Sequence, residues 1–356
     1  MAEINLASKY SPMIDKVMTA KSFVKGKCST DYDFAGVKTI TIYAPKTVPL
    51  VDYARTGTQR FGELADMKDE IQEISMRRDR SWTFGIDKAN NSDQLDIKKS
   101  GEALQMQLDE QVIPEQDAWA LQEWAFNAGK SIVESALTKS TIITSIGDAS
   151  AWLDNNKFPA SNRFLYVGAT NYNKIRLSDE IMAVDPMAAK SLGQGVQGIL
   201  FDAIVTKVPD SYLPTGVQYI LMHKEAGIAP DKLKTLRILT EVQGYDGVVL
   251  EGHHYYDAFV KAKKANGIYV SVLTANKVAT PVITPTGASH AVGAVAGVTF
   301  KYTLDGSDPR YSATASVYSG AVTLTDGQTI NVAGFALTDS ISTKCVSDVA
   351  TATYEA

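Results

Sequence analysis

Five places in the 356-residue sequence bring together residue types that do chemistry. Gly193-Gln-Gly195-Val-Gln-Gly198 has the spacing of a dinucleotide loop, in which glycines let the backbone close on a pyrophosphate at a helix N-terminus. That geometry needs a strand before the loop and a helix after it. Here Met182 to Leu192 is helix-like and Ile199 to Val208 strand-like, so the order is reversed and a connecting loop is expected. His253-His254-Tyr-Tyr-Asp257 gathers two imidazoles and a carboxylate, but adjacent strand residues point to opposite faces and do not readily chelate one ion. His223 and His290 are far away in sequence. Asp305-Gly306-Ser307-Asp308-Pro309 spaces two carboxylates as a Ca²⁺ loop does, lacks the later glutamate, and reads as a hydrogen-bonded turn. Cys28 follows Lys25-Gly-Lys27, a setting that lowers a thiol pKa, whereas a lone cysteine is usually structural. Tyr302, Tyr311 and Tyr318 are of a type that stacks on sugar rings, with packing inside a small β-sandwich as the other reading. A Gly-x-Ser-x-Gly elbow is absent from the sequence. The expectation is a protein with no catalytic residues, no metal and no cofactor.

The composition narrows the classes further. With 45% hydrophobic and 21% charged residues the chain is of ordinary globular type, and its length suggests two domains. A formal charge of -5 leaves no cationic excess for condensing nucleic acid. No apolar run approaches a membrane span, and residues 1–10 lack the pattern of a secretory or transit peptide. Two cysteines near opposite ends make neither a disulfide framework nor a zinc site, and a reducing compartment is expected.

The elements that would carry these residues divide the chain. Val37 to Ala44 and Trp82 to Ile86 alternate as half-buried strands. Between them, residues 44–81 hold seven basic and seven acidic side chains, with acids concentrated at Glu63, Asp66, Asp69, Glu70 and Glu73, followed by Arg77, Arg78 and Arg80. Such blocks describe either a solvated hairpin with weak ion pairs or an arm lying across a neighbouring copy, where charge fixes register. Leu64, Met67, Ile71 and Ile74 have helical spacing, and residues 61–76 fit a helix or an extended arm equally. Asn90 to Asp93 reads as a turn. A helix over about Ser100 to Leu137 carries an apolar stripe through Leu104, Leu108, Leu121, Trp124, Ala128 and Ile132, and is expected to kink at Pro114. From 140 to 274 short strands (141–144, 163–167, 200–208, 217–222, 247–250 and 267–272) alternate with helical pieces such as Asp148 to Asn155, an α+β pattern. Residues 275–285, with Pro281 and Pro285, read as a linker or an edge strand. Beyond them, charges thin out and Asp305-Gly306 and Asp326-Gly327 punctuate the short strands of a small β-sandwich.

Taken in order, Arg78-Asp-Arg-Ser-Trp-Thr-Phe84-Gly-Ile-Asp87-Lys-Ala-Asn-Asn91, Val112-Ile-Pro114-Glu-Gln-Asp117, Arg163-Phe-Leu-Tyr-Val-Gly168, Tyr255-Tyr-Asp257-Ala-Phe-Val260 and Gly267-Ile-Tyr-Val270 resemble a tailed-bacteriophage major capsid protein of the Hong Kong 97 type. The resemblance spans residues 1–274. It implies an N-arm (about 1–36), an E-loop (about 37–87) reaching over the adjacent subunit, a spine helix (about 100–137), and peripheral and axial domains (about 138–274). After the 275–285 linker, residues 286–356 resemble the immunoglobulin-like module at the carboxyl end of chitobiase and hexosaminidase-type enzymes, through Tyr302-Thr-Leu-Asp305-Gly-Ser-Asp-Pro309, Tyr318-Ser-Gly320, Gln328-Thr-Ile330 and Asn331-Val-Ala333. On phage shells such modules sit outside, and no catalytic residue carries over.

The resemblance implies a structural, non-enzymatic protein that self-assembles as hexamers and pentamers into the icosahedral head of a virion around double-stranded DNA, after synthesis in the host cytoplasm. Mild acidity suits a wall that must not trap the genome. Ring closure needs complementary patches on different sides of one subunit, and the expected pairing sets Arg77, Arg78 and Arg80 against Glu63, Asp66, Asp69, Glu70 or Glu73 of a neighbour. A separate scaffolding protein and a portal are the expected partners. Some relatives cross-link a lysine to an asparagine, for which Lys68, Lys88 and Asn91 are the positions to inspect. The rival reading is a carbohydrate-binding adhesin or other virion surface protein contacting the host through the C-terminal tyrosines.

Overall fold

A computed structural model describes residues 22–32, 38–64, 66–67, 69–93, 99–178, 198–240 and 242–356. The glycine loop before Gly198, Lys68 and most of the N-arm lie outside these residues.

Two antiparallel strands, β1 (Thr39–Pro45) and β2 (Asp69–Ser75), form the stem of a long hairpin. The open question over residues 61–76 is thus resolved for Asp69 to Ser75 in favour of an extended chain. Register explains why: Ile40 pairs with Ile74 and Ile42 with Gln72, so one face of the hairpin presents Ile40, Ile42 and Ile74 together. That face packs on Met76, Ile228, Tyr255 and Phe259. Helical spacing at Leu64, Met67, Ile71 and Ile74 loses because only Ile74 of the four is buried.

The chain returns through β3 (Arg78–Asp87) into α1 (Lys88–Asp93), a short helix where the sequence suggested a turn. The spine follows as α2 (Ser100–Gln107), a π-helical turn over Leu108–Val112, and α3 (Ile113–Phe126). Pro114 sits in the first turn of α3, where its missing N–H costs least, and the widened turn before it accommodates the ring. The helix ends at Phe126, eleven residues before the expected Leu137. Ser131, Ile132 and Val133 belong instead to β4 (Lys130–Val133), because β-branched residues pair better in a ladder than they pack in a helix.

A second correction concerns Thr141 to Thr144, which start α4 (Ile142–Asn155) and not a strand. Ile142, Ile146, Ala149 and Leu153 recur at helical spacing and are all fully buried. The remaining body comprises β5 (Arg163–Gly168), α5 (Ala169–Arg176), β6 (Ile199–Leu200), β7 (Ala203–Val208), β8 (Val217–His223), β9 (Gly227–Ile228), β10 (Asp231–Leu239), β11 (Gly247–Tyr256), β12 (Phe259–Val260) and β13 (Ile268–Val272). Five of these strands join β4 in one six-stranded mixed sheet in the order β4-β13-β8-β5-β7-β6. One apolar cluster builds around Trp119, Leu121 and Trp124 of α3, another around α4 and α5, and both include residues of this sheet. A separate sheet, β10-β11-β3, carries the returning arm of the hairpin.

Residues 275–285 hold a short turn at Thr274–Asn276 and the beginning of the edge strand β14 (Ile283–Thr286). With β15 (Ser289–Val292), β16 (Thr299–Thr303), β17 (Ser316–Val317), β18 (Val322–Thr323), β19 (Thr329–Phe335), β20 (Leu337–Thr338), β21 (Ile341–Ser342) and β22 (Ala350–Thr353) it builds an all-β unit. Sheets β14-β15-β18 and β17-β16-β19-β22 enclose Val292, Phe300, Leu324, Ile330 and Val332.

The turn from α3 into β4 leaves no room at Gly129. A Cβ built there lies 2.3 Å from the Ala265 carbonyl carbon, a backbone atom that cannot swing aside. Gly129→Ala is expected to lower stability by about 2 kcal/mol, read as a shift in urea midpoint with unchanged slope.

Candidate assembly interface

The hairpin that begins at β1 and β2 ends in residues 46–67, which carry an unusual surface. Val48, Leu50, Val51, Tyr53, Phe61, Leu64 and Met67 are all exposed, Leu50 and Leu64 completely and Phe61 to 86%. Tyr53 and Phe61 meet edge to face at 5.1 Å, and turns at Gly57 and Gly62, both at positive φ, fold the tip back on itself. Within the tip the Ala54 N–H donates to the Arg60 carbonyl at 3.0 Å, and Arg60 Nε donates to the Gly57 carbonyl at 3.0 Å. A cluster of exposed large apolar side chains within one short segment marks a place that another surface covers. Sequence reading weighed the charges of this arm and missed its apolar side. The available signal was Val48-Pro-Leu50-Val51-Asp-Tyr53, an apolar run inside the most charged part of the chain.

The acids lie along the hairpin, Glu63 and Asp66 beyond the stem and Asp69, Glu70 and Glu73 on β2. Glu63, Asp66, Asp69 and Glu73 are exposed, with no basic group within 4 Å among the described residues, and Glu70 has only Lys46 at 3.9 Å. The arginines do something different. Arg77 turns inward at the foot of the hairpin: its backbone N–H donates to Asp257 Oδ2 at 2.8 Å, its Nε to the same oxygen at 3.1 Å, and its Nη2 to Glu123 Oε2 at 2.8 Å. Trp119 Nε1 donates to Asp257 Oδ1 at 2.8 Å and completes the node. Arg78 and Arg80 both reach Glu115 of α3, at 3.2 and 2.8 Å, and the Arg78 guanidinium lies 4.2 Å from the Trp119 ring centroid. The basic block thus finds its acids within its own subunit, on the spine helix and at Asp257. The physical reason is desolvation: Glu123 and Asp257 are buried, and a buried carboxylate needs a partner from its own chain in order to fold.

Electrostatics at the node follow from that burial. Desolvation pulls the Arg77 guanidinium down, but Glu123 and Asp257 outweigh it and hold it above its ordinary value. Burial lifts the Glu123 carboxyl above the usual range against the pull of Arg77, and its Oε1 has no hydrogen-bond partner among the described residues.

The other sequence candidates resolve as follows. His253 and His254 face opposite ways on β11: His253 meets Asp79 at 2.5 Å on the surface, while His254 is buried with both ring nitrogens unpartnered among the described residues. Asp305 accepts from the Ser307 N–H and hydroxyl and from the Thr314 hydroxyl, forming a closed turn. Cys28 is buried, and desolvation raises its thiol pKa despite Lys25 and Lys27 nearby in sequence. Lys88 and Asn91 lie together in α1, at the opposite end of β3 from Arg77, where the Lys88 N–H donates to the Asp246 carbonyl. Tyr302 and Tyr318 pack against each other edge to face at 6.4 Å on the sandwich core, and the Tyr318 hydroxyl accepts from the Val292 N–H. Tyr311 is elsewhere, its hydroxyl donating to the Asn127 carbonyl at 2.8 Å. The three tyrosines form no common stacking platform, because two are spent on packing and one on the seam with the body.

A structure from Mycobacterium phage Che8 is similar with a TM-score of 0.64 at 17% identity, covering 75% of this chain and 96% of that one. The capsid structure of the cyanophage P-SCSP1u gives 0.62 at 14% identity, over 76% and 93%, and the mature capsid of bacteriophage PhiM1 gives 0.60 at 12%, over 76% and 92%. The chain has the phage capsid fold. In the C-terminal unit, residues 294–354 match the family described as "Fn3 associated", consistent with the immunoglobulin-like sandwich. No curated protein matches the chain by sequence.

Removing Arg77 isolates two buried carboxylates. Arg77→Met is expected to cost about 3 kcal/mol in chemical denaturation, at the lower end for a broken buried pair because the arginine side chain is itself 30% exposed. Arg80→Met, at a more exposed position sharing Glu115 with Arg78, is expected to cost under about 1 kcal/mol.

Proposed function

We propose that this chain is a major capsid protein, a structural subunit that self-assembles through hexamers and pentamers into the icosahedral head of a tailed bacteriophage and encloses double-stranded DNA. The observation that carries the reading is the conjunction of a phage capsid fold with a long hairpin whose apolar tip has no cover from its own body. A surface of this kind is satisfied by a second copy of the chain, with the free acids at Glu63, Asp66, Asp69 and Glu73 selecting the register of contact. The arginine complement on the neighbour is then not Arg77, which is committed within its subunit.

On this reading the protein resides in the virion shell after assembly in the host cytoplasm, contacts the genome without sequence preference, and works with a separate scaffolding protein and a portal. Residues 1–274 form the shell subunit and residues 286–356 an immunoglobulin-like module facing outward. The role is mechanical, and no reaction is proposed.

Negative-stain electron microscopy of the full chain, alone and co-expressed with candidate scaffolds, is expected to show closed shells, tubes or capsomer rings. Persistent monomers or small oligomers with a scaffold present would overturn the reading. Replacing Leu50, Phe61 and Leu64 with Ser is expected to shift stability by no more than about 0.5 kcal/mol per site, because each is exposed, while abolishing assembly.

A further inference from the structure

The end of α3 meets the C-terminal module through its backbone. A helix leaves its last carbonyls without intrahelical donors, and here those of Ala125 and Phe126, together with the next three in the turn that follows, Asn127 to Gly129, accept from the module. Cys345 Sγ donates to the Ala125 carbonyl at 3.4 Å, the Val346 N–H to Phe126 at 2.9 Å and the Tyr311 hydroxyl to Asn127 at 2.8 Å. Arg310 Nη1 reaches Ala128 at 3.5 Å and Gly129 at 3.0 Å. Asp308 holds that guanidinium in place through Nε and Nη2, the latter at 2.8 Å. Cys345 belongs to the main apolar cluster of the body, and Tyr311 packs against it.

The same loop makes one more backbone contact, on a different element. The Ala313 N–H donates to the Ile71 carbonyl at 2.8 Å, on β2 of the hairpin stem. Between this loop, the stem and the body lies a crevice of about 150 Å³ lined by Tyr43, Glu70, Lys263, Asp308 and Ser312. The stem has a second attachment, from Gln72, whose side chain donates to the Val260 carbonyl and accepts from the Ala262 N–H. Among the described residues, 46–64 and 66–67 carry no comparable tie to the body, so the pose of the tip is set by what grips its stem.

We propose that the C-terminal module is a brace acting within its own subunit: by seating on the carbonyls of residues 125–129 and holding Ile71, it fixes the hairpin stem against the spine helix before any neighbour is met. This goes beyond outward display, which requires no contact with the hairpin. The grip stands on contacts inside one chain, and only its effect on assembly rests on the capsid reading.

The test uses the full chain in its unassembled form, with hydrogen exchange read peptide by peptide. Ala313→Pro removes the donor to Ile71. Exchange in residues 69–75 is expected to rise about tenfold while β16 and β19 stay unchanged, and an unchanged 69–75 overturns the proposal. If β16 and β19 also accelerate, the module itself has been damaged and the decision passes to Tyr311→Phe, which removes a single hydroxyl. That variant is expected to speed exchange in 69–75 by about fivefold, the effect of one lost hydrogen bond at the seat of the brace, and no change there overturns the proposal. Faster exchange in a chain that never forms shells leaves the brace standing and counts against the capsid reading alone.

Discussion

Two buried carboxylates, Glu123 in the last turn of α3 and Asp257 just after β11, set the terms for the rest of the molecule. Neither can be buried unless a cation from elsewhere in the chain reaches it, and that cation is Arg77. Because Arg77 lies between β2 and β3, meeting both acids fixes where the long hairpin leaves the body. Trp119 adds a neutral donor to Asp257 and a ring under Arg78, so one contact region ties hairpin, spine and the β10-β11-β3 sheet together. An apolar node would bury comparable area, but it would not specify which residue of the hairpin must sit there. The charged one does.

Outside that node the hairpin is progressively less anchored. Its stem uses one face, through Ile40, Ile42 and Ile74, and its tip uses none. The architecture therefore grades from a foot held by desolvated ion pairs, through a stem held by apolar packing and backbone hydrogen bonds, to an apolar tip in solvent. Such a gradient is costly for an isolated molecule and sensible for one whose outer end is completed by another surface.

Much of this was legible in the sequence, and what was not has definite causes. The ladder at Thr39 to Pro45, the buried β5, β8 and β13, the alternation that splits His253 from His254, and the module after residue 275 all follow from periodicity and turn residues. The helix boundary at Phe126 did not, because Ala128 and Ile132 continue a helical stripe that β4 also satisfies. Thr141 to Thr144 misled because four residues do not distinguish a strand from the first turn of a helix. Of the charged residues expected to pair between subunits, the acids Glu63, Asp66, Asp69 and Glu73 are exposed on the hairpin, while Arg77 was assigned outward and turns inward. Its partners lie 46 and 180 positions away, and no local pattern announces a desolvated carboxylate at that distance. The exposed tip was overlooked for the opposite reason: apolar residues are presumed buried until a structure shows what surrounds them.

The two thiols of this chain acquire a meaning from where they sit. Cys28 is buried where the described end of the N-arm meets the body, beside Ser29, whose N–H donates to the Gly227 carbonyl; Cys345 is buried in the seam under the module. Burial pushes both thiols up, Cys345 to about 12, so neither is a nucleophile while its seam is closed. With no other cysteine in the sequence, the rate at which a small alkylating reagent consumes each one is a clock for the opening of one particular seam. The natural protein thus carries two built-in reporters, one for the arm and one for the module, and needs no foreign label to be watched as it changes shape.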